Sequence, residues 1–456
     1  MSDYLADAEL AKARLAGVSG SFCLAKWKQV SLHLTTGHTN SCYHPPLHRI
    51  PVEPLVSNPS ALHNTAHKKE RRAEMIAGVK CSECNYCWNI EKNGDLSDRH
   101  YRSGEPWAMK SFDEVKNNPY ADHNPSYVEV NFNHACNLKC SYCSPQFSST
   151  WEQEAHEFGA YPTSTPHNDP AHFIGERRPI PNRESNPYRE AFWRWWPDLY
   201  KDLKHFRMTG GEPTMDPNTY RVFDYVLDNP KPDLHLNVTS NFSVEQKLFD
   251  KYLDYVKRLT AAAGTIEHFM QFVSLDTWGA QAEYIRHGLN FDVAINRVER
   301  FVSEVPERSS LTFIITMSNL SIISLKRLLE YILYLRKTYT KTYQRIWFDT
   351  PLLYTPTWQS MQILPPAYEL CLTDCIEFME ENLHEMQGFK DYEVLKLQRD
   401  LSWMRAGTDN LEKKRADFFR FFSEHDRRRG TNFEKTFPEM TEFWNECRFR
   451  VQTTST

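Results

Sequence analysis

No apolar run in this 456-residue sequence is long enough to span a bilayer. Its start, Met-Ser-Asp-Tyr-Leu, lacks a basic segment followed by an apolar signal core, so a cytoplasmic location with no membrane partner is expected. An excess of positive charge is lacking too. The 54 basic residues against 59 acidic ones leave a net charge of -5 with histidine neutral, and neither half is strongly basic, so a general nucleic-acid surface is not implied. Internal repeats and low-complexity tracts do not occur. What the chain does have is length and cysteine. The length exceeds that at which single cores stop growing, so one large catalytic domain with one or two appended modules is expected. In a reducing compartment the eleven cysteines are not expected to pair as disulfides. Eight of them fall in two groups, which favours metal ligation there, and Cys371, Cys375 and Cys447 stand alone.

Cys136, Cys140 and Cys143 lie in Asn-His-Ala-Cys-Asn-Leu-Lys-Cys-Ser-Tyr-Cys, directly after the alternating run Val128-Glu-Val-Asn-Phe132, a strand pattern. Three thiolates on one short loop can ligate three irons of a 4Fe-4S cube and leave the fourth iron open to a substrate or cofactor. That points to redox chemistry. A three-cysteine zinc site completed by a remote ligand would normally draw on pairs of cysteines on turns.

From Tyr127 to about Asp349 short apolar strands alternate with helical segments, an α/β series. Strands are predicted at 127 to 132, 205 to 209, 234 to 239, 268 to 275, 311 to 317 and 345 to 349, and helices at 218 to 228, 245 to 263, 280 to 304 and 321 to 338. Such a series suits a partial or complete parallel barrel better than a long open sheet, and barrel chemistry gathers where strands end and βα loops begin. Residues 144 to 200 interrupt the series with six prolines between Pro162 and Pro187, then the aromatics Phe192, Trp193, Trp195 and Trp196. A long loop of this kind is either a lid or substrate loop, or a surface insertion packed by its own aromatics. Upstream, Pro45 to Pro59 suits a loop, and Thr65 to Ala77 a helix with charges on most faces. After Pro366 the chain is helical, charged and aromatic.

The spacing Cys136-x3-Cys140-x2-Cys143, with Tyr142 before the last cysteine, resembles the signature of the radical S-adenosylmethionine (SAM) enzymes. Thr209-Gly210-Gly211-Glu212-Pro213, ending the next predicted strand, fits the same family, although the insertion makes the gap longer than usual. The resemblance implies that this turn holds the amino group of SAM: glycines let the backbone approach, and a carboxylate or carbonyl accepts from an ammonium. It also implies cofactor contacts at Tyr142, at Ser240 and Asn241 after the third strand, and at Ser274 and Asp276 after the fourth. Arg286, in Glu-Tyr-Ile-Arg-His-Gly, fits a partner for the cofactor carboxylate. Ordinary caps, turns or surface roles account for these later positions equally well.

Cys23-x13-Gly37-x4-Cys42, followed by Cys81-x2-Cys84, resembles the cysteine pattern of SPASM and twitch modules, which carry auxiliary iron-sulfur clusters. Those modules usually follow the barrel, whereas here the pattern precedes it. The implied ligands are Cys23, Cys42, Cys81 and Cys84, with Cys87 either substituting for one of them or lying nearby as a free thiol. Four thiolates in pairs suit tetrahedral zinc equally well, and the neighbouring radical motif favours iron and sulfur. Together the segments 20 to 100 and 127 to about 350 are similar to twitch-domain radical SAM proteins of the SPASM/twitch group, the type found in phage and marine bacteria. The resemblance implies an α/β fold with a partial (β/α)6 TIM-like barrel at 120–355, which carries the Pro-rich insertion 144–200. An N-terminal twitch-like module at 1–110 and a helical C-terminal extension at 356–456 would complete it.

Its chemistry would be reductive cleavage of SAM at the first 4Fe-4S cluster to a 5'-deoxyadenosyl radical, which takes hydrogen from a substrate. A second, auxiliary 4Fe-4S cluster would transfer electrons, and the electron donor would be a protein such as flavodoxin or ferredoxin. The substrate expected is a peptide or protein side chain, or a sugar-like metabolite. No winged-helix pattern marks a leader-binding domain in the first 20 residues, and a single auxiliary cluster resembles enzymes that oxidise an alcohol on a small carbohydrate, so both classes stay open. The alternatives are a radical enzyme that modifies RNA and a non-enzymatic interaction protein stabilised by zinc. In the tail, Cys371 and Cys375 share a helix face as ligands, a hydrogen-donating thiol or core. Arg427 to Arg429 suit a phosphate or acidic peptide, or a solvated helix end, and Phe418, Phe419, Phe421 and Phe422 suit the core.

Overall fold

Successive side chains of a strand point to opposite faces, so alternating apolar residues place one face of the sheet on the core. The computed structural model describes residues 4–454. Among them the strands, in chain order, are β1 (Gln29–His33), β2 (His38–Asn40), β3 (His48–Arg49), β4 (Tyr127–Asn131), β5 (Lys139–Cys140) and β6 (His205–Thr209). They continue as β7 (Lys231–Ser240), β8 (Ile266–Ser274), β9 (Arg286–His287), β10 (Ser309–Ile314) and β11 (Ile346–Asp349). Each of the six predicted strands is present, as β4, β6, β7, β8, β10 and β11. The fold is α/β, with mostly parallel strands and many helices.

The chain divides into two compact units. One holds the chain up to His134 with Pro179–Gly210 and Lys231–Asn237; the other holds Ala135–Arg178, Gly211–Pro230 and the chain from Val238 onward. These limits differ from the expected breaks near 110 and 355, because β1 of the N-terminal segment pairs in parallel with β4, from Gln29 opposite Tyr127 to His33 opposite Asn131.

In the first unit β4 also pairs in parallel with β6, from Tyr127 opposite His205 to Asn131 opposite Thr209. The first residues of β7 lie beside β6, where His235 N donates to Lys204 O at 2.7 Å. On the other side β2 runs antiparallel to β1, and β3 to β2. The aromatic end of the Pro-rich insertion is a helix here, Pro187–Asp202, rather than a loop. Asn186 caps it by accepting from Tyr188 N and Arg189 N, both at 3.0 Å, and Pro187 occupies the first helical position, where no N–H is needed. Phe192, Trp195, Trp196 and Leu199 then fall at helical spacing and are fully buried. Phe192 meets Phe132 edge-on at 5.1 Å, and Trp196 meets Phe206 at 4.9 Å. This end of the insertion is therefore core. The expected loop at Pro45 to Pro59 also holds a short helix, Val52–Ser57.

In the second unit β8 lies between the last residues of β7 and β10, with β11 beyond. Helices cross between these parallel strands, as parallel pairing requires: Gln246–Ala261 after β7, Phe291–Glu304 before β10 and Leu325–Tyr339 before β11. Phe291–Glu304 buries Phe291, Ala294, Val298, Phe301 and Val302 on one face. The continuous helix expected over 280 to 304 is broken, because Arg286 and His287 leave it to form β9 and Gly288 takes φ +100°. After Pro366 the chain is helical, as expected, in Glu369–Glu381, Asp391–Arg405, Leu411–Arg429 and Thr441–Thr454.

Gly37, in the turn from β1 to β2, has φ +68°, and a Cβ there would lie 2.0 Å from Cζ of Tyr188. Gly407 has φ +66° with nothing within 4 Å. Gly37→Ala should therefore lower stability by roughly 2–5 kcal/mol, combining left-handed strain with overpacking, whereas Gly407→Ala should cost about 1–2 kcal/mol from strain alone. Urea unfolding followed by circular dichroism compares the two; equal losses would refute the packing role of Gly37.

Candidate functional site

The three-cysteine loop begins where β4 ends, and backbone pairing holds it in place. Lys139 and Cys140 form the two-residue strand β5, antiparallel to Arg286 and His287 of β9. Gly288 is required there: a Cβ would lie 2.9 Å from Asn137 O. Ser141 N donates to Ile285 O at 2.7 Å, and Cys143 N to Cys140 O at 2.9 Å. The helix Ser149–Phe158 closes the loop from the other side. Ser148 Oγ and Thr150 Oγ1 each donate to Leu138 O at 2.8 Å, as does Trp151 Nε1 to Cys140 O.

Arg286 and Asp276 form a buried pair beside the thiols. Arg286 Nη2 donates to Asp276 Oδ1 at 2.8 Å, and its Nη1 lies 3.6 Å from Cys140 Sγ. Asp276 accepts as well from Tyr142 Oη at 2.8 Å and from Thr316 N at 2.9 Å. Tyr142, Asp276 and Arg286, three of the residues expected to touch a cofactor, thus take one another as partners, while Nε of Arg286 is buried without one. Burial pushes the thiols of Cys136, Cys140 and Cys143 upward, Cys143 to about 12, and Arg286 opposes that rise at Cys140. Bound metal reverses this balance, since its charge deprotonates a coordinating thiol. Three free thiols, Cys140 buried and Cys136 and Cys143 partly so, with a guanidinium beside one of them, fit an anionic, thiolate-held cluster.

The glycine turn joins this site from the end of β6. Gly210 has φ +120°, and a Cβ would fall 2.5 Å from Asn131 Oδ1, so only glycine fits. Glu212 N donates to Ala135 O at 2.7 Å. Its carboxylate is buried and committed within the protein: Oε1 accepts from Thr214 N and Thr214 Oγ1 at 3.0 and 2.6 Å, and Oε2 accepts from Asn241 N at 2.8 Å. Pro213 opens the short turn Pro213–Met215 that this carboxylate caps. Asn241 Nδ2 donates to Asn137 Oδ1 at 2.9 Å, tying the loop after β7 to the cysteine loop. Ser240 Oγ accepts from Phe242 N at 3.1 Å, and Ser274 ends β8. The structure therefore gathers Glu212, Asn241 and the cysteine loop through protein contacts. Asn137, which the sequence reading passed over, is the link, and nothing in its local sequence marks it.

Arg428 and Arg429, weighed as a phosphate site or a solvated helix end, are neither. Arg429 is fully buried: Nε and Nη2 donate to Glu154 at 3.1 and 3.2 Å, Nη1 donates to Lys139 O at 2.8 Å, and the guanidinium lies 4.6 Å over the Trp151 ring. Lys139 Nζ and Tyr161 Oη complete the set around Glu154 at 2.7 and 2.5 Å. The Arg428 side chain donates to Gly159 O and Ala160 O. Cys375 and Cys447 are buried in the helical region and Cys371 is partly so; Phe418, Phe421 and Phe422 are fully buried.

The other cysteine group lies within the first unit. Cys23, Cys42, Cys84 and Cys87 line one cavity together with Lys26 and Trp88. Burial pushes the Cys42 and Cys87 thiols up to about 12. The Cys81 thiol instead donates to Glu74 Oε2 at 3.2 Å. Among the described residues no three His, Cys, Asp or Glu side chains converge on a point as the ligands of one ion do.

No protein-family model and no curated protein matches this chain. Solved structures it resembles include Streptococcus suis SuiB bound to precursor peptide SuiA, at 12% identity over 84% of this chain and 70% of that one, with TM-score 0.33. A second, SuiB bound to S-adenosylmethionine, is 14% identical over 77% and 69% of the two chains, TM-score 0.34. A third SuiB structure matches at 14% identity over 77% and 68%, TM-score 0.34. At such scores the likeness carries no argument about activity.

Burial alone would raise the Glu154 carboxyl, but Arg429, Lys139 and Tyr161 outweigh it and hold it at about 2, below its ordinary 4.5. The network therefore contributes fully at neutral pH and is lost as pH falls from about 5 toward 2. Glu154→Gln should be less stable than the parent by about 3 kcal/mol at pH 7, and the gap should close toward pH 2. Urea unfolding across that range measures it; a gap independent of pH would refute the assignment.

Proposed function

We propose that this chain is a radical SAM enzyme whose 4Fe-4S cluster is held by Cys136, Cys140 and Cys143. The observation that carries the reading is the placement of three free thiols, all at least partly buried, on the loop after β4, hydrogen-bonded through Ala135 and Asn137 to the Glu212 turn and the loop after β7. On this reading β4, β6, β7, β8, β10 and β11 are the six strands of a partial (β/α)6 barrel, preceded by a twitch-like module and followed by the helical extension. The cysteine loop then lies at the end of the first barrel strand and the glycine turn at the end of the second, where such folds keep their chemistry.

When bound, the cluster would pass one electron to the sulfonium of SAM, and carbon-sulfur cleavage would yield the 5'-deoxyadenosyl radical that takes hydrogen from the substrate. The chain's own residues bind, orient and exclude water. Arg286 supplies a cation beside Cys140, and Asp276 with Tyr142 fixes the guanidinium. The backbone carbonyls of the Gly210-Gly211 turn would accept from the ammonium of SAM, and Glu212, committed to Thr214 and Asn241, holds that turn in shape. Ser240, Asn241 and Ser274 at the strand ends would contact the cofactor, with Asp276 acting through the Arg286 guanidinium it holds. The substrate is a peptide or protein side chain, or a sugar-like metabolite. The reductant is a small electron-transfer protein such as flavodoxin or ferredoxin.

Anaerobic reconstitution with iron and sulfide, followed by dithionite and SAM, should yield 5'-deoxyadenosine detectable by chromatography and mass spectrometry. Cys140→Ala should reduce it by at least about a hundredfold, since a cube missing one of three thiolates loses its hold on the loop. Zinc without sulfide in the purified protein, or an intact cluster that yields no 5'-deoxyadenosine, would overturn the proposal.

A further inference from the structure

The second cysteine group has five thiols, one more than a fully ligated cube uses. The cavity in the first unit separates them. Cys23, Cys42, Cys84 and Cys87 line it. Cys84 precedes the helix Asn85–Glu91 and Cys87 lies within its first turn, three residues on, a spacing that brings two side chains to one helix face. Cys81 lies at the start of the short turn Ser82–Cys84, and its thiol is engaged elsewhere, 3.2 Å from Glu74 Oε2 and 3.6 Å from Arg71 O.

Charge bears on the same region, whichever thiols hold the centre. Lys26, which lines the cavity, is buried and pairs with Glu83. Lys68 and Arg72, on the helix Ala66–Ile76, are buried at 1% and 0% exposure. Their hydrogen bonds go to neutral groups: Lys68 Nζ donates to Thr39 Oγ1 and Asn40 O at 3.0 and 3.2 Å, and Arg72 to Lys26 O and Asn64 Oδ1 at 3.2 and 3.0 Å. Buried cations without a buried anion cost several kcal/mol each. Glu83, paired with Lys26, is the largely buried carboxylate here, and a centre held by four thiolates, which carries net negative charge, would add to it.

We propose that the auxiliary cluster is held by Cys23, Cys42, Cys84 and Cys87, and that Cys81 is not a ligand but ties its segment to Glu74. With four thiolates no iron is left open, so this centre exchanges electrons and does not bind substrate. The inference rests on the radical reading only for the metal's identity as iron and sulfur.

The test uses the full chain with Cys136, Cys140 and Cys143 all replaced by Ala, so that iron and sulfide report on the second centre alone. This background should bind about four irons and four sulfides per chain and give the spectrum of a 4Fe-4S centre. Adding Cys87→Ala should leave one iron without a thiolate, lowering the iron and sulfide content or changing the electron paramagnetic resonance signal. Adding Cys81→Ser, whose hydroxyl can still donate to Glu74, should leave the content and the electron paramagnetic resonance signal unchanged. Cys81→Val repeats that arm with an apolar side chain of similar size, and circular dichroism verifies the fold. Loss of the cluster from a folded Cys81 variant, an unchanged content and signal in Cys87→Ala, or zinc in place of iron would overturn the proposal. A second centre that behaves as stated in a protein yielding no 5'-deoxyadenosine would instead sink the radical reading and leave this ligand set standing.

Discussion

The carboxylate of Asp276 is completely buried, and a charge taken out of water has to find its partners inside the protein. It finds three: Arg286, the Tyr142 hydroxyl and the Thr316 backbone. Those partners come from β9, from the cysteine loop and from the chain just after β10, so one anion fixes the relative positions of the elements that frame the three thiols. Arg286 is shared between Asp276 and Cys140 Sγ, and its backbone pairs with β5. Removing Asp276 or Arg286 would leave the other charge buried and uncompensated, a loss of about 3–5 kcal/mol, which makes this arrangement rigid. On the proposed reading this rigidity would set the cysteine loop before metal binds.

The helical C-terminal region takes part in the same construction. Arg429 reaches Glu154 and the carbonyl of Lys139 next to Cys140. Two further positive charges of the run Arg427-Arg428-Arg429 behave differently from each other. Arg427 is solvent-facing and pairs with Glu424, while Arg428 caps carbonyls at Gly159 and Ala160. An arginine run at a helix end is thus divided by geometry into one solvated and two structural residues, because successive side chains on a helix point about 100° apart.

The glycine turn shows how a motif can be legible while its division of labour is not. Glycine at 210 follows from the close approach of Asn131, and the turn lies where the strand pattern puts it. Yet Glu212, the one charged residue of the motif, is consumed by Thr214 and Asn241. Its role is to hold two strand-end loops together; on the proposed reading contact with an ammonium would fall to the backbone. Likewise Gly37, in the spacing between Cys23 and Cys42, is explained by the Tyr188 ring, which occupies the space a side chain would need.

The sequence by itself determined the strands and their order, since period-two alternation is a local property and each of the six runs became a strand within a few residues of its expected limits. It also determined the two cysteine groups, because three or more thiols at short spacing are rare by chance and chemically demanding. Contacts between distant residues were decided only by the tertiary structure. Pairing of β1 with β4 drew the N-terminal segment into the first unit, the insertion's aromatics became a core helix against Phe132 and Phe206, and β9 interrupted an expected helix so that Arg286 could meet Cys140. The physical reason is the same in each case: burial of charge and aromatic surface is settled by partners far along the chain, where local propensity carries no information. Cys81 and Cys87 make the point most simply, for the two are equivalent in spacing and differ only in what the fold places beside their thiols.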